Sequence, residues 1–254
     1  MTAQGTGTVG KATDMLRLLG EHPDGATARE LADASGHHFS TAYRLLRTLV
    51  DTGFAEYSNQ DKHYRLGLPV FQLGQKVAHA RGFDASASPV LQGVVEVTGE
   101  SCLLAVLHGD RFLTTAKIDG PEFRVTTDPG DQGFLHSSAL GRVLLAFAPE
   151  QEREQLLRTI PLTARTTSTV AQRERLRELV TETVEQGYSA QSQEYDDGVA
   201  AIAVPVLDGS GRLIAALGLA APIFRSDREA LESRLPLLRR AAEQLSAVLP
   251  PRPS

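Results

Sequence analysis

The stretch from His37 to Gly53, HHFSTAYRLLRTLVDTG, constrains this chain more than any other. Its apolar residues fall at Ala42, Leu45, Leu46 and Leu49, the i, i+3, i+4, i+7 spacing of a helix with one buried stripe. The opposite side carries Ser40, Thr41, Tyr43, Arg44, Arg47 and Thr48, with Asp51 the one acid near its end. Gly53 stands where a left-handed residue would close the helix. A face of short polar donors and guanidinium groups suits the major groove of DNA. Taken alone, the same pattern fits a plain amphipathic surface helix better, so its neighbours decide.

Upstream, Val9, Ala12, Met15, Leu16 and Leu19 repeat at helical spacing and stop at EHPDG, while MTAQGTGT before them reads as disordered. Thr27-Ala28-Arg29-Glu30 matches a capping box and opens a short helix that ends at Ser35-Gly36. Downstream, FAEYSNQDKHYRLG reads as two short strands about a polar turn, with Phe54, Tyr57, Tyr64 and Leu66 closing a small core. Helix, short helix, tight turn, helix, hairpin is the order of a winged helix-turn-helix, whose third helix enters the major groove. Thr27, Ser40 and Thr41 then suit phosphates; Tyr43, Arg44 and Arg47 suit bases, with one of them left for packing or phosphate. The wing brings Lys62, His63 and Arg65 to the backbone or minor groove. His37 and His38 fit either a phosphate or plain surface. Residues 1–67 hold seven Lys+Arg against eight Asp+Glu, in a chain of net charge −5, so any basic footprint is local. A winged unit that docks protein instead of DNA therefore stays open.

Residues 68–82 read as a helical linker, with Leu68, Val70, Phe71, Leu73, Val77 and Ala78 on one stripe and Arg81-Gly82-Phe83-Asp84 as the break. A second run, Val90 to Val97, ends near Gly99. One winged unit buries little area on DNA, so a homodimer on a two-fold, palindromic operator is expected, with a tetramer of such dimers also open; a linker packed on its own second domain is the alternative. Residues 83–254 alternate strands and helices: a hairpin turning at His108-Gly109-Asp110, a strand and Pro-Gly loop in FRVTTDPGDQGF, and a helix from about Ser138 to Phe147. Two charge-rich helices, three strands about Asp197 and the Asp208–Gly211 turn, and one tail helix from Ser226 to Leu249 follow. This is an α+β pattern with a mixed antiparallel sheet under helices.

The segments TVGKATDMLRLL, ATARELADASG, STAYRLLRTLVDTGF and HYRLG resemble the IclR family of bacterial transcription regulators. LHSSALGRVLLAF and DGVAAIAVPVLDGSGRLIAALGLAAP are similar to that family's effector-binding domain, so the resemblance runs from about residue 9 to 249. It implies a GAF-like or profilin-like C-terminal domain and effector contacts at Ala139, Leu140, Ala201, Gly218 and Ala220. Some relatives carry Cys or Ser at the last three, so this site is expected to be more apolar or roomier, or to have lost its ligand. At the start of the recognition helix, the positions of His37, His38 and Phe39 depart from the family, so no relative's operator transfers.

From the residues themselves, a helix N-terminus at His136–Leu140, behind the loop that holds Gly133, offers free N–H groups to a small-molecule effector such as a carboxylate. Glu194, in the acidic turn with Tyr195, Asp196 and Asp197, is a further contact or part of a solvated loop. No G-x-S-x-G, Walker loop or zinc spacing occurs, so no cofactor or metal is expected, although His136 with Glu194 or Asp196 could take a stray ion. Cys102, His108, His136 and Asp128 make a poor nucleophile and base set, and a small hydrolase is the weakest reading. A single cysteine, no signal peptide and no apolar run long enough for a bilayer point to a cytoplasmic, non-membrane protein.

Overall fold

The computed structural model describes residues 7–80 and 86–250. Of the expected disorder of MTAQGTGT, residues 1–6 lie outside the described residues, as does the break at Arg81-Gly82-Phe83-Asp84, whereas Thr8 already belongs to the first helix. Contacts divide the chain into two units, Met1–Val77 and Ala78–Ser254.

The first unit has the expected order: α1 (Thr8–Gly20), α2 (Ala28–Ser35), α3 (Phe39–Asp51), β1 (Ala55–Tyr57) and β2 (Tyr64–Leu66). Its core joins Met15 and Leu19 of α1, Leu31 and Ala32 of α2, and Ala42, Leu45, Leu46 and Leu49 of α3, with Tyr64 closing the hairpin side. Tyr57 and Leu66, expected in that core, are exposed, although they share a face of the hairpin with their buried cross-strand partners Tyr64 and Ala55; the Tyr57 ring packs on that of Tyr64 at 4.7 Å between centroids, outside the core. Gly36 (φ 68°) and Gly53 (φ 77°) end α2 and α3 in the left-handed region that glycine adopts without strain. The capping box forms: Glu30 accepts from the Thr27 N–H at 2.8 Å, and the Thr27 hydroxyl accepts from the Glu30 N–H at 3.3 Å. Helix α4 (Leu68–Ala80) leaves Leu68, Phe71, Leu73 and Val77 exposed.

In the second unit, α5 (Ala87–Thr98) leads into β3 (Ser101–His108) and β4 (Arg111–Ile118), then β5 (Gln132–Phe134) and α6 (Ala139–Ala146). Then come α7 (Glu150–Thr159), α8 (Arg173–Gln186), β6 (Ser189–Ser192), β7 (Val199–Leu207), β8 (Leu213–Pro222), α9 (Arg228–Glu232) and α10 (Leu235–Val248). The sheet runs β5-β4-β3-β8-β7-β6, and its described pairings are antiparallel. Alternation splits it into two faces. Cys102, Leu104, Ile202, Val204, Val206, Leu217 and Leu219 meet α5 and α10. Leu103, Ala105, Ala203, Ala216 and Ala220 meet α6. The small residues on that second face let α6 come close, and every residue of α6 is buried.

Two further expectations, both of secondary structure, fail on physical grounds. FRVTT forms no strand: the Lys117 ammonium donates to the Val125 carbonyl at 3.1 Å and pairs with Asp119 and Asp128, holding the segment as a strap. The tail is two helices, because Pro236 lacks the N–H an unbroken helix would need and sits instead in the first turn of α10.

Candidate nucleic-acid interface and ligand cavity

The α3 stripe buries as its period demands, and that fixes the opposite side outward. Ser40, Tyr43, Arg44, Arg47 and Thr48 are exposed, Thr41 is half-buried, and His38 is exposed at the N-cap position. Phe39 opens the helix, exposed and stacked on Tyr43 at 6.0 Å between ring centroids; its apolar character hid it from a search for polar contacts. Arg44 and Arg47 make no ion pair among the described residues. On the wing, Lys62 is exposed in the left-handed region (φ 62°).

Two expected phosphate ligands are otherwise engaged. The Thr27 hydroxyl donates to Glu30 Oε2 at 2.9 Å, inside the capping box. The Arg65 guanidinium donates to Asp61 at 2.6 Å and holds that carboxyl well below the usual carboxylate range.

In the second unit a cavity of about 50 Å³ opens beside α6. Its apolar wall includes Leu103, Phe112, Val125, Leu140, Val199 and Ala220, and its polar lining is Thr127, Ser138, Gln191, Tyr195 and Asp196. Ala139 and Ala201 complete it, so four of the eight expected contacts border it: Ala139, Leu140, Ala201 and Ala220. The Ser138 hydroxyl caps the Gly141 N–H at 2.9 Å and donates to the Phe134 carbonyl, while the Arg142 N–H bonds the Ser138 carbonyl. The N–H groups of Ala139 and Leu140 have no partner among the described residues.

The other four expected contacts sit behind the wall. A Cβ on Gly218 would lie 2.9 Å from Leu140, and one on Gly133 would lie 2.0 Å from the Phe112 ring, so both glycines admit close packing. His136 is buried, its Nε2 donating to the Thr163 carbonyl at 3.0 Å. Burial lowers its pKa and keeps the ring neutral. Glu194 is bound by Arg142, a residue 1% exposed at the centre of α6, through both guanidinium Nη atoms. Arg142 also donates to the His136 carbonyl at 2.9 Å. Arg165 grips the next turn, donating to the Tyr195 carbonyl at 2.7 Å and to Asp196 at 2.8 Å. The strap meets this turn where Thr126 donates to Asp196 at 3.4 Å.

The groups considered for catalysis are scattered. Cys102 faces α5 and α10, and burial pushes its thiol up, away from a reactive thiolate. His108 is exposed at its turn, and Asp128 is held by Lys117 and Arg124. Among the described residues no group of three or more His, Cys, Asp or Glu could hold a metal ion. No helix among them is long and apolar enough to cross a membrane.

An outward helix of this kind on a winged unit, followed by a sheet domain with an internal cavity, defines a helix-turn-helix regulator with a sensor domain. The family models agree: residues 8–58 match the IclR helix-turn-helix domain and residues 75–247 match the bacterial transcriptional regulator IclR C-terminal domain. The chain belongs to the IclR family of transcriptional regulators, which couple a helix-turn-helix DNA-binding domain to a C-terminal effector-binding domain. It is 31% identical to the HTH-type transcriptional regulator KdgR of Escherichia coli over 93% of this chain and 90% of that one. It is 29% identical to the transcriptional repressor IclR of Escherichia coli over 88% and 84%. The crystal structure of an IclR homologue from Microbacterium hydrocarbonoxydans, complexed with 4-hydroxybenzoate, superposes with a TM-score of 0.84 at 26% identity, over 96% of this chain and 99% of that one.

Proposed function

We propose that α3 reads an operator in the major groove, and that a small effector in the α6 cavity controls this binding. The observation that carries it is the outward α3 face, with Arg44 and Arg47 beside Ser40 and Tyr43 and in no ion pair among the described residues. Tyr43, Arg44 and Arg47 take base edges; His38, Ser40, Thr41 and Lys62 take phosphates. Residues 1–67 form the DNA-binding domain, 68–82 the linker and 83–254 the effector-binding and oligomerisation domain. The exposed Leu68, Phe71, Leu73 and Val77 of α4 support a homodimer on a palindromic operator, which sedimentation at micromolar concentration tests against monomer and tetramer. The protein acts in the cytoplasm as a repressor and has no enzymatic activity.

The effector is a small carboxylate or carbonyl compound, of which 4-hydroxybenzoate is the first to try. Ligand cavities usually measure roughly 300–1,000 Å³. The observed space therefore has to widen, and the seam between the 123–128 strap and the 193–198 turn is the natural place. An effector shifts operator affinity only by binding one arrangement of the protein more tightly than another.

Salt-dependent retention on operator DNA tests the reading. The purified protein selects fragments from its own genome, and affinity for them falls steeply with salt as phosphate contacts are lost. Binding that is indifferent to salt would favour a protein-docking winged unit instead.

A further inference from the structure

We propose that Phe39 reads the C5-methyl group of a thymine in the operator, with the Tyr43 ring as its backing. This rests on the operator-binding reading above. Helices α1 to α3 hold two aromatic residues, Phe39 and Tyr43, and both lie outside the core. Phe39 is 48% exposed and Tyr43 44%. They stand one turn apart on α3, at the i, i+4 spacing that brings two side chains together. Their rings stack, with 22° between planes and 6.0 Å between centroids. The core beneath is closed without them, by Met15, Leu19, Leu31, Ala42, Leu45 and Leu46. A packed aromatic ring buries on the order of 150–250 Å², so a stacked pair left in water is surface held for a partner.

Position and chemistry single out that partner. Phe39 is the first residue of α3, and the N-terminal end of a recognition helix is the part that lies against the bases. Ser40 and Arg44 are exposed beside the aromatic pair, and Arg47 follows one turn beyond Tyr43 on the same ridge. The Phe39 side chain can neither donate nor accept a hydrogen bond. Of the features that base pairs show in the major groove, the thymine methyl is the apolar one. Stacking on Tyr43 restricts the Phe39 ring before contact, so little rotamer freedom is lost on binding. A second copy of this chain is the competing occupant of an exposed aromatic pair. The hydroxyl and guanidinium groups on the same face favour a nucleic acid instead, because they suit phosphates and base edges.

The test uses the full chain and a DNA fragment that it selects from its own genome. Thymines of the bound site are replaced, one position at a time, by deoxyuridine, which differs only in lacking the methyl group. At one position or more, wild type loses about four-fold in affinity, the worth of one buried methyl group. Phe39→Ala loses at least as much on the thymine site, and then binds the thymine and deoxyuridine sites equally. Deoxyuridine tolerated at every position, or a penalty that persists unchanged in Phe39→Ala, overturns the role of Phe39 and leaves operator binding standing. Full affinity of Phe39→Ala together with altered sedimentation gives the aromatic pair to an interface between copies, and overturns it as well. Failure of wild type to retain any fragment overturns the operator-binding reading and this inference together. Should Phe39→Ala not fold, Phe39→Gln, a stronger helix former without the apolar ring, takes its place.

Discussion

The two units of this protein treat their arginines in opposite ways. In the N-terminal unit Arg44 and Arg47 stand on the solvent side of α3 and make no ion pair among the described residues. In the C-terminal unit Arg142 is buried and bidentate on Glu194, and Arg165 is tied to Asp196 and the Tyr195 carbonyl. A guanidinium left free on a packed scaffold is available to an outside anion. One that satisfies carboxylates and carbonyls of its own chain is architecture, and removing it leaves a buried charge behind.

That contrast is easiest to break at Arg142. Arg142→Leu strands Glu194 and the carbonyl of His136, and should destabilise the C-terminal unit by about 3–5 kcal/mol. Arg142→Met with Glu194→Leu should recover most of it, because replacing both charges by apolar groups is often close to neutral. Chemical denaturation of the three proteins checks this, and equal stability of Arg142→Leu and wild type would mean that the pair contributes nothing.

At α3 the expectation reverses. Arg44→Ala and Arg47→Ala should leave stability within about 0.5 kcal/mol, as surface changes do. Whichever residue makes a bidentate base contact should lose about 1–3 kcal/mol of operator binding. Wild-type binding by both variants would remove α3 from the DNA interface.

How far each site could be read from residues follows the same division. The α3 face was legible because a 3.6-residue period fixes burial, and what is not buried must face out. The capping box at Thr27 and the stop at Gly53 are equally local signals. The cavity was half legible: Ala139, Leu140, Ala201 and Ala220 border it, whereas Gly133, His136, Glu194 and Gly218 stand behind it. Arg142 and Glu194 are 52 residues apart, and no pattern says which of many charges will meet. Val125 and Thr127 lie in a strap with no period at all. Gln191 had a usable signal that went unread, the alternation along β6 that buries Ser189 and Gln191 together. Pro236 likewise marked the break in the tail.

A smaller test sharpens the N-terminal side. With its hydroxyl spent on Glu30, Thr27 acts as a cap, so Thr27→Ala should cost about 1 kcal/mol of stability. Operator affinity of the folded protein should be unchanged. A loss of affinity at full folding, measured by titrating operator well below the melting temperature, would return Thr27 to the phosphate contacts.

The smallest expected effect comes from His136. Its pKa is lowered below the ordinary 6.5, first by burial and then by Arg142 and Arg111, against the opposing pull of the Thr163 carbonyl and Glu194. As pH drops through 6.5 the unfolded chain takes up a proton that the folded ring refuses. The unfolded state then binds more protons, so stability falls with falling pH until the folded pKa is reached, and levels off below it. Between pH 7.0 and 5.5, wild type should lose up to about 1 kcal/mol more than His136→Gln, which keeps a donor for the Thr163 carbonyl but cannot titrate. Urea melts at the two pH values measure the difference. Parallel losses in both proteins would show that the ring titrates freely in the folded state, and that the turn before α6 is more open to water than its packing implies.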